Sequence, residues 1–469
     1  MLLCLTILVS FNIILSMAKK IFKLKISPSV QILFGFLGVI LIGSFLLSLP
    51  ISNEDGKWFN FIDSLFTSTS AVCVTGLVVV DTATKFTLFG ELVIMFLIQI
   101  GGLGIIAVTS LFFMIFRKKI SLSSSLTIKE SLNKETIQGV VKFIKKTIII
   151  TLIIELVGAL LLLFGTISFT HDFWKGLYFA IFLSISSFCN AGFDVLGEDV
   201  GEFVSLSPFS SSILMLLPIM MLIVLGGIGF VVMSDIFNGL KNKQHSKVVL
   251  IMTSLLLIVG TILFAIFEWN NNDTLGNMST GDKILNSIFQ SVSTRTAGIS
   301  TINQGGLTGG GYFLTIFLMC VGAGPNSTAG GLKVTTLFIL LLFMFKLPNS
   351  EGDIRLRNRK VSRRIVMKAI RIILYYFIVL LFGVILISIF EPNIIGLDCI
   401  FYECVSALST VGLTMGITPL LSVGSKIVLM FLMFIGRVGL TTIAMVIVSR
   451  GMSLQKQEIE FSNTDIIIG

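Results

Sequence analysis

Apolar and polar positions in this chain alternate on the scale of whole membrane helices rather than of single strand residues. Long apolar runs, such as 29–49 and 147–169, each lead into a polar turn, then a shorter half-apolar segment, a glycine, and a second long apolar run. A bilayer core of about 30 Å takes roughly 20 apolar residues in a helix, so the long runs are expected to cross. The short segments cannot cross and return, and they read as helices that dip into the membrane from one side.

The pattern occurs four times. Outer helices are expected over 29–49, 147–169, 247–267 and 372–390, short pore helices over 59–70, 173–187, 282–293 and 398–408, and inner helices over 89–116, 213–237, 312–345 and 427–448. Between each pore helix and inner helix lies a glycine triplet: Val74-Thr75-Gly76, Asn190-Ala191-Gly192, Thr296-Ala297-Gly298 and Thr410-Val411-Gly412. The expected fold is an all-α integral membrane protein of four helix–pore-loop–helix repeats, with pseudo-fourfold symmetry around one central pore. Repeats cover 29–116, 147–237, 247–345 and 372–448. Cytoplasmic linkers cover 117–146, 238–246 and 346–371, with an N-terminal leader over 1–28 and a C-terminal tail over 449–469. The run before Lys19 and Lys20 lacks a positive n-region, and translation is expected to start at Met17.

Composition agrees with the pattern. Of 469 residues 54% are hydrophobic and 13% charged, with a mean hydropathy of +0.99, far from a soluble globular chain. The net charge of +9 does not indicate nucleic acid, because the basic residues gather in the three linkers while the turns before the pore helices are acidic or sparsely charged. The positive-inside rule then places both termini in the cytoplasm and the pore loops on the outside of a multi-pass cell-membrane protein. The six cysteines show no metal-ligand spacing, and His171 and His245 have no partners in sequence.

Four glycines in register imply chemistry. Stripping water from a cation is costly, and a ring of inward-turned backbone carbonyls replaces that hydration. Glycine supplies the dihedrals that such a turn needs. The twelve triplet residues are therefore the candidate filter, with a cation held by their carbonyls. A single such glycine would more often be a packing contact. No clustered His, Asp or Ser side chains at membrane depth suggest an enzyme.

Each inner helix also carries a glycine cluster: IGGLG at 100–104, LGGIG at 225–229, VGAGPNSTAGG at 321–331 and IGRVG at 435–439. Helix packing is the usual meaning of such glycines. In the third, Gly322, Gly324, Pro325, Gly330 and Gly331 break the helix, and broken backbone at depth survives only against protein or a water-filled cavity. Arg437, in the fourth inner helix, is costly in a membrane and is expected to face the conduction path as an electrostatic barrier, with Lys333 nearby. A snorkelling anchor is its alternative. Asp81 and Asp194, after the first two filters, either concentrate cations in an outer vestibule or are solvated loop acids.

The stretches AVCVTGLVVVDT at 71–82, CNAGFD at 189–194, TRTAGIST at 294–301 and STVGLT at 409–414, with GAGPNSTAGGLK at 322–333 and GRVGLTT at 436–442, resemble the potassium-transporter superfamily of Trk, Ktr and plant HKT proteins. The likeness spans about 18–469 and is greatest to the Ktr membrane subunit. Asn190-Ala191 departs from the simplest filter pattern. The resemblance implies K+ as the transported ion, with Gly76 favouring K+ over Na+, and an intramembrane gating loop formed by the broken third inner helix. It also implies a homodimer on a cytoplasmic ring of nucleotide-binding regulatory subunits of the KtrA kind. No cofactor is expected on this chain, ATP or ADP being bound by that partner. A sodium-permeable or sodium-coupled transporter of the same fold is the alternative, and an alternating-access carrier a more distant one.

Overall fold

The computed structural model describes residues 28–104, 140–239, 243–346, 353–356, 359–391 and 395–439. The leader with Met17, most of the 117–146 linker and the tail lie outside them. Four helices are long and apolar enough to cross a membrane unbroken: α1 (Pro28–Ser48), α4 (Val140–Thr170), α8 (Gln244–Glu268) and α12 (Arg363–Phe390). They are apolar around most of their circumference, and side chains such as Leu156, Phe164, Ile251 and Phe382 are exposed on the outside of the molecule, as suits helices that face lipid. Helix α12 begins at Arg363, well inside the segment expected to be linker. A short antiparallel hairpin, β1 (Ile354–Leu356) with β2 (Arg359–Val361), precedes it and pairs Ile354 with Val361.

The pore helices form as the pattern predicts: α2 (Phe61–Cys73), α5 (Phe173–Cys189), α9 (Thr280–Ser293) and α13 (Leu397–Ser409). Side-chain oxygens of Asn60, Asp172 and Ser279 accept N–H groups of the first turn in the first three, satisfying donors that every helix start leaves open. Their C-terminal halves are buried despite being rich in serine and threonine. The hydroxyls bond neighbouring carbonyls, as Ser68 does to Ile40 at 2.8 Å and Ser291 to Leu257 at 2.9 Å. All three tryptophans, Trp58, Trp174 and Trp269, lie where an outer helix hands over to a pore helix, the placement of an aromatic belt at one membrane surface.

The inner helices depart from expectation. The second, expected to be continuous, is two helices, α6 (Ile213–Ile228) and α7 (Phe230–Asn238), bent by 101° at Gly229. The first and fourth, α3 (Leu88–Leu103) and α14 (Val423–Val438), end at Gly104 and Gly439, beyond which the expected continuations to 116 and 448 lie outside the described residues. The three breaking glycines share one backbone geometry, with φ of 83°, 94° and 92° and ψ of 136°, 143° and 133°. That geometry takes the chain out of the helix, and only glycine adopts it without strain. The third inner path, α10 (Gly309–Cys320) and α11 (Val334–Phe345), is interrupted by a loop, as expected. Eight unbroken spans are thus not found among the described residues.

Candidate functional site

Each pore helix ends in a reversal that the sequence alone does not disclose. The residue two before each filter glycine has a positive φ: Val74 56°, Asn190 59°, Thr296 78° and Thr410 51°. The glycines follow with 91°, 72°, 75° and 99°. A β-branched side chain in this region is strained by about 1–3 kcal/mol, so the surrounding structure must hold it there. Serines do part of this from behind. Ser70 accepts the Gly76 N–H at 3.1 Å and Ser406 the Gly412 N–H at 3.0 Å, while Ser186 donates to the Phe193 carbonyl at 2.5 Å and Ser293 to that of Ile299.

The four triplets meet in cyclic order. A Cβ built on Gly76 would lie 2.6 Å from the Ala191 carbonyl oxygen, and one on Gly192 would lie 2.9 Å from that of Ala297. Gly298 stands in the same relation to Val411, and Gly412 to Thr75, which closes the circuit. Any side chain at these glycines would strike the neighbouring triplet's carbonyl. At the inner end, the Asn190 amide and the hydroxyls of Thr296 and Thr410 are buried without a protein partner. Unpaired buried polar atoms are costly, and such a donor set fits an occupant that is itself polar, a cation or its water.

The inner-helix glycines have a definite task here. A Cβ on Gly101, Gly226 or Gly436 would collide with the carbonyl of Val72, Phe188 or Leu408 respectively, each four residues before its filter glycine. These glycines let the inner helix press against the end of the pore helix.

The third repeat differs. Its loop runs from Val321 to Leu332, which pair as an isolated parallel bridge, and it fills the gap opened by the bend at Gly229. Gly324 donates its N–H to the Gly227 carbonyl at 2.8 Å and Thr328 to that of Gly226 at 3.3 Å, while the Phe230 N–H donates to the Asn326 carbonyl at 2.9 Å. Backbone groups freed by the bend are satisfied by the loop, as a broken helix at membrane depth requires. The loop also lies against the inner end of the filter. A Cβ on Gly330 would strike the Thr410 hydroxyl and lie 3.0 Å from the Ser409 carbonyl. Lys333 folds back on it, donating to the Ala329 and Gly330 carbonyls at 2.7 and 3.1 Å.

Arg437 is half-buried, and its guanidinium donates to the Thr328 carbonyl of the loop and to the Gly101 and Gly102 carbonyls of α3. It joins three repeats at one point, its charge shared among carbonyl dipoles. Gly322, Gly324, Pro325, Gly330, Gly331, Lys333 and Arg437 therefore lie together, on the side of the four triplets where Thr410 meets Gly330. The outer acids are placed differently from one another. The Asp81 carboxylate accepts the N–H groups of Ala83 and Thr84, both at 3.1 Å, and of Phe203 at 3.0 Å, so it caps a turn and ties the first two repeats. Asp194 is half-buried and accepts one bond, from the Leu196 N–H at 3.3 Å.

Two buried groups, Glu155 and Arg295, have no role that the sequence pattern assigns. Glu155 of α4 accepts from Gln99 of α3 at 3.1 Å and from the Cys189 thiol at 3.9 Å, directly behind the second filter. Arg295 is buried within the third pore segment. Aligning the four glycines would have exposed it, because Cys73, Cys189 and Ser409 hold the same position in the other repeats.

The TrkH family of cation transport proteins matches residues 36–456. A potassium/sodium uptake protein, NtpJ, of Enterococcus hirae is 40% identical over 92% of this chain and 94% of its own length. The Ktr system potassium uptake protein B of Bacillus subtilis is 37% identical over 90% and 93% respectively. The solved potassium transporter TrkH of Vibrio parahaemolyticus has the same fold, with a TM-score of 0.69 at 18% identity over 90% of this chain and 86% of that one. The chain belongs to the TrkH family of cation transport proteins.

Proposed function

We propose that this chain is the ion-conducting membrane subunit of a potassium uptake system, passing K+ inward through a single pseudo-fourfold filter. The observation that carries the reading is the cyclic contact of each filter glycine with the next triplet's carbonyl. Such a ring presents backbone oxygens from all four repeats to one ion and fits K+ as the cargo. The Ktr relatives named for potassium uptake support that choice. The membrane potential drives entry, worth about 2.3 kcal/mol per charge per 100 mV, or a roughly fifty-fold accumulation.

The loop from Val321 to Leu332, with Lys333 and Arg437, is the gate, lying between the filter and the cytoplasm. Both termini face the cytoplasm of the cell membrane, in line with the basic linkers and with tryptophans at the opposite end of the outer helices. Gating is set by a cytoplasmic ring of nucleotide-binding subunits that carries the ATP or ADP site. The membrane subunit works as a homodimer on that ring.

Rescue of bacteria lacking potassium uptake tests the function: growth at low external K+ is expected when this chain is expressed with its regulatory subunit. Absence of rescue with the protein present in the membrane would overturn it. Flux in liposomes with Na+ replacing K+ separates the sodium reading, because Na+ entry equal to K+ entry would favour it.

A further inference from the structure

Arg295 occupies a place where the other three repeats have a small residue, Cys73, Cys189 or Ser409. In those repeats an inner-helix glycine packs onto the pore-helix carbonyl just before that place. In the third the inner helix stops at Cys320, and the space at Gly322 is bounded by the Gly330 carbonyl of the loop. The reversal before the filter also differs. The N–H groups of Thr75, Ala191 and Val411 each reach back five residues, to the carbonyls of Ser70, Ser186 and Ser406, whereas that of Ala297 reaches back four, to Ser293. The long cationic side chain thus occurs in the one repeat, among the described residues, whose inner helix is interrupted by an inserted loop, between Cys320 and Val334.

Arg295 is 5% exposed, and no acid pairs with its guanidinium among the described residues. Its Nη2 donates to the Gly322 carbonyl at 3.3 Å, its Nη1 to the Thr253 carbonyl of α8 at 3.4 Å, and Nε has no partner. Both bonds exceed the usual 2.9–3.0 Å of an N–H···O bond. A buried charge held so loosely costs folding energy. Gly322 is the second residue of the loop, and Arg437 holds the same loop farther along, at Thr328.

We propose that Arg295 is a second positioning residue of the gate, a loose latch that holds the start of the intramembrane loop from within the third pore segment. This rests on the pore reading above and adds a link by which the filter segment and the gate sense each other. Arg295 touches the loop near its start and Arg437 farther along, at Thr328, and releasing either contact loosens the hold of the loop on the inner mouth of the filter.

Two readouts on the full chain test it. In proteoliposomes without regulatory subunit, Arg295→Gln is expected to raise rubidium flux by about fivefold, the population shift from losing one weak hydrogen bond, with an unchanged sodium-to-potassium ratio. Arg295→Lys, which keeps the charge, should give an intermediate rise. Hydrogen exchange of the 321–332 backbone should quicken in the same order, a change that does not depend on conduction. Wild-type flux and wild-type loop exchange in a folded Gln variant would overturn the proposal, as would an altered ion ratio with loop exchange unchanged. If the Gln variant does not fold, the Lys variant decides by the same loop exchange. A wild-type protein that carries no rubidium would strike the pore reading, leaving the exchange result to judge the latch.

Discussion

Lys426 Nζ lies 2.8 Å from Asp63 Oδ1, and this pair closes the ring of repeats, joining α14 of the fourth to α2 of the first. Both side chains are mostly buried, at 13% and 18% exposure. Bonds at the other junctions are neutral or singly charged, among them Tyr178 to Glu91 between the first and second repeats, Leu206 N–H to the Ser300 carbonyl between the second and third, and Tyr312 to the Asp398 carbonyl between the third and fourth. Removing one member of a buried pair strands its partner's charge. Asp63→Asn or Lys426→Met should therefore lower stability by about 1–3 kcal/mol, read as thermal unfolding in detergent. The double variant should lose less than the sum of the two. Strictly additive losses would show that the pair does not couple the repeats.

Gly76→Ser places a side chain at φ 91° with its Cβ 2.6 Å from the Ala191 carbonyl oxygen. The ring must open on that side, and the carbonyl cage loses the dimensions that let it replace the hydration shell of K+. Discrimination against Na+ should fall by about tenfold or more, the effect of roughly 1.4 kcal/mol, measured as relative Na+ and K+ flux in liposomes. An unchanged ratio would remove the first triplet from the selective ring.

Gly229→Ala tests the bend in the second inner helix. Alanine at φ 94° is strained by about 1–3 kcal/mol, and its Cβ would lie 2.5 Å from the Pro325 carbonyl oxygen. The loop must retreat, taking with it the bond from Phe230 N–H to Asn326. A lower melting temperature together with higher basal rubidium flux is expected. Lower stability with unchanged flux would confine Gly229 to folding.

Sequence pattern reveals the centre of this molecule better than its supports. The four glycine triplets and the short helices that lead to them are legible because each repeat restates the same local signal. The bends at Gly229 and the ends at Gly104 and Gly439 are not, because a glycine cluster in an apolar run more often means close packing, and what makes the bend affordable is a loop about a hundred residues away. Arg437 stands out as a charge in an apolar run. Arg295 does not, since it lies in a polar stretch, and only comparison across repeats shows that its three counterparts are small. The early start of α12 at Arg363 is hidden because a basic segment after an inner helix reads as linker, although helix formation does not require the membrane.

The hairpin ahead of α12 gives a pH prediction. Asp353 pairs with Lys360 at 2.9 Å and accepts the Arg363 N–H at 2.9 Å, at the first residue of the helix. The Lys360 hydrogen bond, with the Arg363 N–H, holds its carboxyl below the usual 3.8. Its stabilisation is therefore present above the unfolded-state value and is lost as pH falls through the lowered one. Backbone exchange over 353–363, corrected for its intrinsic pH dependence, should gain protection steadily as pH rises toward 5, and Asp353→Asn should flatten that profile. The same profile in both proteins would dismiss the carboxylate as the hairpin's anchor.

Asp81 and Asp194 follow the first two filters but should respond to substitution in opposite ways. Three backbone N–H groups occupy the Asp81 carboxylate, and Gly197 packs against it, so little of its field is left for ions. Asp81→Asn should cost stability, about 0.5–2 kcal/mol as for a lost cap, with little effect on the apparent affinity for K+. Asp194 lies two residues past Gly192, where the other repeats have Val78, Ser300 and Thr414. It is thus the one acid among the four equivalent positions, and it accepts a single long bond. A negative charge there raises the local cation concentration, so Asp194→Asn should raise the K+ concentration for half-maximal uptake by roughly two- to fivefold with the maximal rate preserved. The defect should shrink as ionic strength rises, because screening removes the same attraction. If instead Asp81→Asn shifts the K+ dependence and Asp194→Asn does not, the attracting charge lies at the turn joining the first two repeats rather than at the mouth of the second filter.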